Sequence, residues 1–485
     1  MPKAYQMYID GKWLDAVDGK IFDVYNPYNG EVYAKLPAGK KMDARRACDA
    51  AAAAFPDWSY ARPAERQRCF LRAADILERR QQELLDIVTQ ETGGTLGWAT
   101  FQTSFIPGQL REAAAQVHAV GGEIIPADLP GAFFMAIRQP VGVVAAITPW
   151  NAPLILSLRG IALPMACGNT AVLKPSAEAP VSGGIILAEV FEEAGLPSGV
   201  FNVVTNGPGF SGEVGDELIE HPKVRRLTFT GSTEVGRQIA EKAARHLKKV
   251  TLELGGNDPL IILKDADIDY AVSAATFGRF IYQGQVCMSS KRIIVEKPVA
   301  AHFTGKFIDK VRGLKVGDPQ EPDTVIGPLI NQKQVDKLHR QVEEAVRQGA
   351  RLACGGKYEG RCYYPTVLTN VTPDMSIARE EAFGPVAPII VVEDADEAVR
   401  VANDSRFGLS AAVITADFQK GLEIAERLES GMVHINDSTV LDEPQVPFGG
   451  MKESGYGRHG GRAAIEEFTE LRWISIQRIP RQYPF

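Results

Sequence analysis

The chain is 485 residues long, room for about three domains' worth of core. Hydrophobic residues make up 45% and charged ones 23%, which excludes a largely disordered chain; 46 glycines and 30 prolines without a period exclude a collagen-like or linker-like one. A net charge of −7 leaves no electrostatic footprint for nucleic acid or an anionic membrane.

Residues 1–30 alternate apolar and polar side chains around Asp10-Gly11 and Asn29-Gly30, which predicts short strands joined by tight turns. Helical periodicity runs from Asp43 to Phe55 and again from Pro63 to Gly93, with Pro63 in the first turn. Between Arg138 and Lys174 the one charged residue is Arg159, but Pro149, Asn151 and Pro153 interrupt the stretch. A bilayer-crossing helix needs about 20 consecutive apolar residues, so Val141–Ile147 reads as a buried parallel strand. From there strand and helix alternate: helix Leu154–Ala166, strand Thr170–Leu173, helix Val181–Ala194, strand Phe201–Val204, strand Arg226–Phe229, and a helix opening at Gly231–Gly236. Such units predict a doubly wound parallel sheet, whose ligands sit beyond the carboxyl ends of its strands. After Val250 a second α/β unit begins, with strands at Pro259–Leu263, Arg292–Val295 and Ala387–Val392. Its helices are placed at Ala266–Ile281, Val299–Val311 and Gln332–Gln348, and the tail Phe468–Gln477 reads as a strand.

Six cysteines are too sparse for a disulfide scaffold, and Cys354 and Cys362 lack a second Cys/His pair, so no metal site is expected. The N-terminus has no apolar core of signal-peptide length. A reduced, cytoplasmic protein without nucleic-acid or membrane partners is the reading these features support.

Several segments carry chemistry. Gly207–Gly212 matches G-x-G-x-x-G formally, but not the first β-α turn with an acidic residue downstream. Phe229–Gly236 is a strand, a glycine turn and a capped helix start, where orphan N–H groups hold phosphate; it is no Walker A loop, since Arg237-Gln238 stands where Lys-Ser/Thr is needed. Lys174 ends an apolar strand, where a buried ammonium needs a partner; the blander reading is a lysine snorkelling to water. Cys287 lies in the loop Gln283–Ser290, although a lone cysteine is usually a small core hydrophobe. Glu253 precedes a Gly-Gly turn after an apolar run, a setting that raises a carboxyl pKa and suits a general base. Asn151, between two prolines, is a rigid amide fit for a developing oxyanion.

These motifs occur in a fixed order: Thr148-Pro149-Trp150-Asn151, Lys174-Pro175-Ser176, Phe229-Thr230-Gly231-Ser232, Glu253-Leu254-Gly255-Gly256, Gly284-Gln285-Val286-Cys287, Glu381-Ala382-Phe383-Gly384-Pro385 and Pro447-Phe448-Gly449-Gly450. In that order and over essentially the whole chain they resemble the NAD(P)-dependent aldehyde dehydrogenase superfamily. The resemblance implies an α/β fold with a Rossmann-like cofactor domain (1–119 and 140–250), an α/β catalytic domain (251–433) and a small β oligomerisation element (120–139 and 466–485). Residues 434–465 then return to the cofactor domain and the substrate tunnel, and the assembly is a homodimer or homotetramer. Cys287 matches the nucleophile, Asn151 and the Cys287 N–H the oxyanion donors, and Glu253 the base for hydrolysis. The presence of Glu253 argues against the CoA-acylating branch. Lys174, Ser232, Glu381 and Phe383 match cofactor contacts, and the resemblance places Ile147, Thr148, Trp150, Ser176, Glu178, Gly215, Gly231 and Leu254 around the same ligand. Where the family often carries the glutamate that favours NAD, this chain has Ala177 with Glu178 beside it. NAD is the expected cofactor and NADP is admissible.

Ala152, Leu158, Arg159, Val286, Met288, Val440, Leu441 and Phe448 fall at or near the family's substrate tunnel. Most are apolar, which suits an aromatic or medium aliphatic aldehyde. The segments Ile435–Thr439, Leu471–Ile474 and Tyr483–Phe485 look similar to benzaldehyde, vanillin and salicylaldehyde dehydrogenases, with Arg159 near a ring substituent. The rivals are a semialdehyde dehydrogenase whose Arg159 binds a carboxylate, a catalytically silent binding protein, and a cofactor-free cysteine hydrolase.

Overall fold

The computed structural model describes residues 2–485. Five strands run parallel in the first sheet, in the spatial order Lys249–Glu253, Val224–Thr230, Val143–Ile147, Thr170–Lys174 and Phe201–Val203. The hairpin Met7–Ile9/Lys12–Leu14 closes one edge and Gly455–Tyr456 the other, both antiparallel. Helices cover both faces, so nearly every residue of the central strands is buried, which is why they read as unbroken apolar runs. The chain winds outward one way from Val143–Ile147 and then the other way. Its switch point lies between Val143–Ile147 and Val224–Thr230, and the crevice beyond those carboxyl ends is where a doubly wound sheet takes a ligand.

The second sheet has six parallel strands, Thr366–Thr369, Val386–Val392, Arg292–Glu296, Pro259–Ile262, Ser410–Ile414 and Met432–Ile435, with Arg351–Cys354 antiparallel at one edge. A separate antiparallel sheet joins Gly122–Ile125, Ala132–Pro140 and Thr469–Gln477. It exposes Ile124, Leu471, Trp473 and Ile476 to solvent.

Three local readings change. The helical stretch expected from Pro63 to Gly93 is two helices, Pro63–Arg79 and Gln81–Thr92, which turn at Arg80 where its guanidinium bonds Glu189 at 2.6 Å. Gly93 ends the second helix at φ +68°, a conformation open to glycine. The helix Leu96–Gln116 escaped periodicity because it is buried on most sides and has no single apolar stripe. The helix expected over Val181–Ala194 begins as a π turn, Val181–Ile185. There the buried Glu91 carboxylate accepts the Val181 and Ser182 N–H groups, both at 2.7 Å. Among the described residues no helix is long and apolar enough to cross a membrane.

Asn169 ties these parts together. Its Oδ1 accepts from Val141 N at 2.7 Å and Gly142 N at 3.1 Å, and its Nδ2 donates to the carbonyls of Pro164 (2.8 Å) and Phe468 (2.9 Å). One fully buried side chain thus joins the entry of the strand Val143–Ile147 to the last residue before the C-terminal strand. Asn169→Ala removes four side-chain hydrogen bonds and leaves the Val141 and Gly142 N–H groups without an acceptor, while Pro164 O keeps the residue-169 N–H; it is expected to cost about 3 kcal/mol, read as a lower urea midpoint. An unchanged midpoint would refute that role.

Candidate active site

Cys287 owes its position to a backbone that its local sequence disfavours. After the helix Ile268–Phe280 the chain takes three left-handed residues in succession, Tyr282 (φ 48°), Gln283 (φ 52°) and Gly284 (φ 70°). A side chain in that region costs about 1–2 kcal/mol, so tertiary contacts must hold it. Tyr282 stacks on Trp98 at 5.0 Å and 7°, and its hydroxyl donates to Thr92 O at 3.2 Å. Gln283 Nε2 donates to Gly93 O and Pro328 O at 3.1 and 2.9 Å. A Cβ on Gly284 would stand 2.5 Å from the Gly384 carbonyl. Arg279, fully buried, donates to the carbonyls of Val386 (2.6 Å), Ala382 (2.8 Å) and Gly384 and to Ser289 Oγ (2.7 Å).

Asn151 and Glu253 reach the same place from the first sheet. Asn151 follows Val143–Ile147; its carbonyl accepts from Trp98 Nε1 at 3.0 Å, and its Nδ2 donates to Gln285 O at 3.1 Å. An amide carries two N–H bonds, so one is left for a ligand. Glu253 ends Lys249–Glu253 beside Gly449, where an added Cβ would lie 2.7 Å from its Oε1. Both Glu253 oxygens are buried without a hydrogen-bond partner. One cleft brings together Trp150, Asn151, Gly231, Ser232, Glu253, Leu254, Cys287, Glu381 and Phe383. Gln334 and Lys337 of the helix Gln332–Arg347 also line it. Sequence reasoning missed both, because nothing in that strongly amphipathic helix says which solvated side chains overhang a cleft.

The electrostatics are those of a closed resting state. Burial pushes the Cys287 thiol up to about 12, against the opposing pull of Lys291. Lys291 is fully buried, 3.2 Å from Asp258, 3.4 Å from Glu381, and donates to the Cys287 carbonyl. Burial also lifts Asp258 to about 6 and holds Glu253 well above the usual carboxylate range, with Arg159 and Arg458 pulling Glu253 the other way. At pH 7 the thiol is therefore protonated, and burial favours the neutral form of the base as well.

The remaining expected cofactor residues divide. Ile147 and Thr148 sit at the strand end, where Thr148 Oγ1 lies 2.9 Å from Ser157 Oγ. Lys174 is buried, and desolvation alone lowers it to about 8, so its ammonium lacks a compensating carboxylate. Ser176 Oγ accepts from Glu178 N at 3.3 Å. The Glu178 carboxylate accepts from Asn331 Nδ2 at 2.9 Å and so bridges to the second sheet's helix Gln332–Arg347. Ser232 caps the helix Thr233–Arg245, and a Cβ on Gly231 would run into the Phe229 ring. Gly215 lies within the helix Ser211–Glu220 and does not border the cleft, nor does the Gly207–Gly212 loop.

The expected substrate residues are less uniform. Val286 and Met288 flank Cys287 and are buried, as are Ala152 and Phe448, whereas Leu441 is exposed. Arg159 ion-pairs with Asp442, both side chains nearly inaccessible, and its guanidinium lies 3.9 Å from the Phe448 ring centre.

This burial has a testable consequence. Cys69 and Cys354 are also only partly buried, so exclusive alkylation of Cys287 is not expected without cofactor. At pH 7 iodoacetamide should modify Cys287 no faster than those two, measured by peptide mass spectrometry. Rapid labelling of Cys287 alone would contradict a neutral resting thiol.

The aldehyde dehydrogenase family model matches residues 13–474. A vanillin dehydrogenase from Pseudomonas sp. (strain HR199 / DSM 7063) is 48% identical over 476 residues, 98% of both chains. The crystal structure of a salicylaldehyde dehydrogenase from Pseudomonas putida G7 complexed with salicylaldehyde superposes with a TM-score of 0.98 at 41% identity and full coverage of both chains. A betaine aldehyde dehydrogenase from Staphylococcus aureus in complex with NAD+ gives 0.96 at 36% identity over 99% of this chain and 96% of that one. With five of its seven ordered motifs contributing residues to one cleft and a family match over nearly its whole length, the chain belongs to the aldehyde dehydrogenase family.

Proposed function

We propose that this chain oxidises an aromatic aldehyde to its carboxylic acid with NAD, using Cys287, Asn151 and Glu253. The observation that carries it is their convergence: a cysteine, an amide with a free N–H and a carboxyl without a partner line one cleft beyond the switch point of the first sheet. The surroundings suit a dinucleotide: the Gly231 turn presents the start of a helix, Glu381 and Phe383 line the cleft, and Lys174, outside the cleft lining at the end of the strand Thr170–Lys174, brings an ammonium without a compensating carboxylate.

In this reading Cys287 Sγ attacks the aldehyde carbon and forms a thiohemiacetal. The Asn151 amide and the Cys287 N–H, which has no backbone acceptor among the described residues, are the donors for its oxygen. NAD, when bound, would supply the acceptor for the hydride that leaves the thiohemiacetal carbon, which becomes a thioester. Glu253 then takes a proton from the water that opens the thioester, and its raised pKa makes it a stronger base once ionised. Arg159, the one cation among the expected substrate-tunnel residues, is paired with Asp442 and so is not open to a substrate carboxylate, which favours an aromatic aldehyde over a semialdehyde.

We assign residues 1–119 and 140–250 to cofactor binding, 251–433 to catalysis, and 120–139 with 466–485 to oligomerisation. The exposed apolar side chains of the third sheet suit a self-complementary dimer or tetramer contact. Six free cysteines suit a reducing cytoplasm.

The test is reduced-nicotinamide absorbance with benzaldehyde, vanillin, hexanal and succinic semialdehyde, each with NAD and with NADP. Aromatic aldehydes should lead, and Cys287→Ala should abolish turnover. A tenfold preference for the aliphatic substrates in kcat/KM would reject the aromatic reading. NADP should also support turnover, because Ala177 places no carboxylate against a 2′-phosphate and Glu178 is held by Asn331.

Base action by Glu253 appears as pH rises. Its pKa is raised, so the active carboxylate is lost on acidification well above the usual carboxylate range. Wild-type kcat should climb with pH, while Glu253→Gln should keep about one NADH per subunit in the first turnover and lose roughly a hundredfold in steady rate, seen by stopped flow. A wild-type steady rate in that variant would remove Glu253 from hydrolysis.

A further inference from the structure

Behind the cleft wall lies a charge cluster that the reaction steps above leave unused. Lys291 immediately precedes the strand Arg292–Glu296, and its side chain is 0% exposed. An ammonium has three N–H bonds and accepts none. Three acceptors surround this one: Asp258 Oδ2 at 3.2 Å, Glu381 Oε1 at 3.4 Å, and the carbonyl of Cys287 itself. The Gly255-Gly256 turn lets them close up. A Cβ on Gly255 would stand 2.6 Å from Glu381 Oε2, and one on Gly256 would stand 2.5 Å from Asp258 Oδ2 and 2.8 Å from the Cys287 carbonyl.

The two carboxylates differ in what can reach them. Asp258 is sealed in the interior, and its Oδ1 accepts the Ser410 N–H at 2.7 Å. Glu381 lines the cleft with its side chain 20% exposed, and apart from Lys291 it accepts the Gly256 N–H at 3.2 Å. A ligand in the cleft therefore meets Glu381 and not Asp258. Two carboxylates against one ammonium leave the cluster short of positive charge. Asp258, Glu253 and Glu381 all face Cys287 and work against its thiolate, whereas Lys291 works for it. Arg279, buried nearby, spends its N–H groups on the carbonyls of Val386, Ala382 and Gly384 and on Ser289. Charges in so dry a setting are poorly screened. Drawing Glu381 away from Lys291 leaves the ammonium to Asp258 and Cys287.

We propose that Lys291 is the positioning residue through which Glu381 governs Cys287: while Glu381 bonds Lys291 the thiol is held in reserve, and when a ligand's hydroxyls engage Glu381 the ammonium acts on Cys287 and favours its thiolate. Lys291 is sealed from the cleft and takes no part in the bond changes. The inference rests on the reading of Cys287 as nucleophile, and its test uses neither cofactor nor substrate, so the two fail separately.

The experiment measures the second-order rate of iodoacetamide with Cys287 from about pH 7 to about pH 10, by peptide mass spectrometry, in wild type, Glu381→Gln, Lys291→Met and the double variant. Glu381→Gln should speed labelling about fivefold when Lys291 is present, because the thiolate is the reactive species. Lys291→Met alone should slow it about fivefold, and on that background Glu381→Gln should change the rate by less than about twofold. Equal acceleration on both backgrounds is the direct effect of a carboxylate on a thiolate and overturns the relay. No acceleration by Glu381→Gln in the presence of Lys291 overturns it as well, with nothing changed at Lys291. Cys48 and Cys167 are buried and serve as the control for the fold. Should they label faster in Lys291→Met, or should that variant not fold, Lys291→Gln, which keeps a donor for the Cys287 carbonyl without the charge, takes its place with the same expectation. A failed coupling alongside a Cys287→Ala variant without turnover rejects the relay alone; turnover by Cys287→Ala rejects the nucleophile reading.

Discussion

The active site depends on one buried guanidinium. Arg279 is out of water entirely; burial lowers its pKa to about 9, with Glu381 and Asp258 pulling the other way, so it stays charged at neutral pH while acceptors satisfy its N–H groups. Those acceptors are loop carbonyls, Ala382, Gly384 and Val386, and the hydroxyl of Ser289. One side chain therefore binds the loop carrying Cys287 to the loop carrying Glu381 and Phe383. The left-handed run Tyr282–Gly284 survives because this clamp, the Trp98 stack and the Gln283 amide over-determine it. Strain there aims the cysteine into the crevice of the other sheet.

That crevice favours the neutral forms of its reactive groups. Cys287 and Glu253 are both desolvated, and an apolar setting penalises the charged form of each. A thiol held up near 12 resists adventitious oxidation and alkylation, since the thiolate is the reactive species. Reactivity then waits for ligands that change the local field and displace water. The buried cations nearest the site are already spoken for: Lys291 by Asp258 and Glu381, Arg159 by Asp442. These two buried cations are therefore held by carboxylates and are not open to a substrate anion.

Two sheets cooperate through contacts distant in sequence. Trp98 meets both Asn151 and Tyr282; Glu178 meets Asn331; Ser454 accepts the Gly408 N–H at 3.0 Å and donates to Gly255 O at 2.7 Å. Each such bond carries position from one sheet to the other. The cleft between them is accordingly a property of the whole chain.

Much was legible in the sequence alone. Strand–helix alternation from Val141 onward follows from apolar runs, β-branched residues and glycine or proline punctuation, all local signals. Cys287, Glu253 and Asn151 stood out because each pairs a reactive side chain with a glycine or proline that sets its backbone, and family order added what no single motif carried. The helix Leu96–Gln116 was hidden because burial on most sides erases periodicity. Gln334 and Lys337 were hidden because a polar residue on a helix looks solvated until another element comes to face it. Arg159 shows the limit most clearly: its charge was visible, but its partner Asp442 lies 283 residues away, and only the folded chain decides whether a cation is free or paired. Local sequence determined the elements and the reactive residue types; tertiary packing decided which groups are desolvated, paired or left open, because those properties belong to distances that sequence order does not contain.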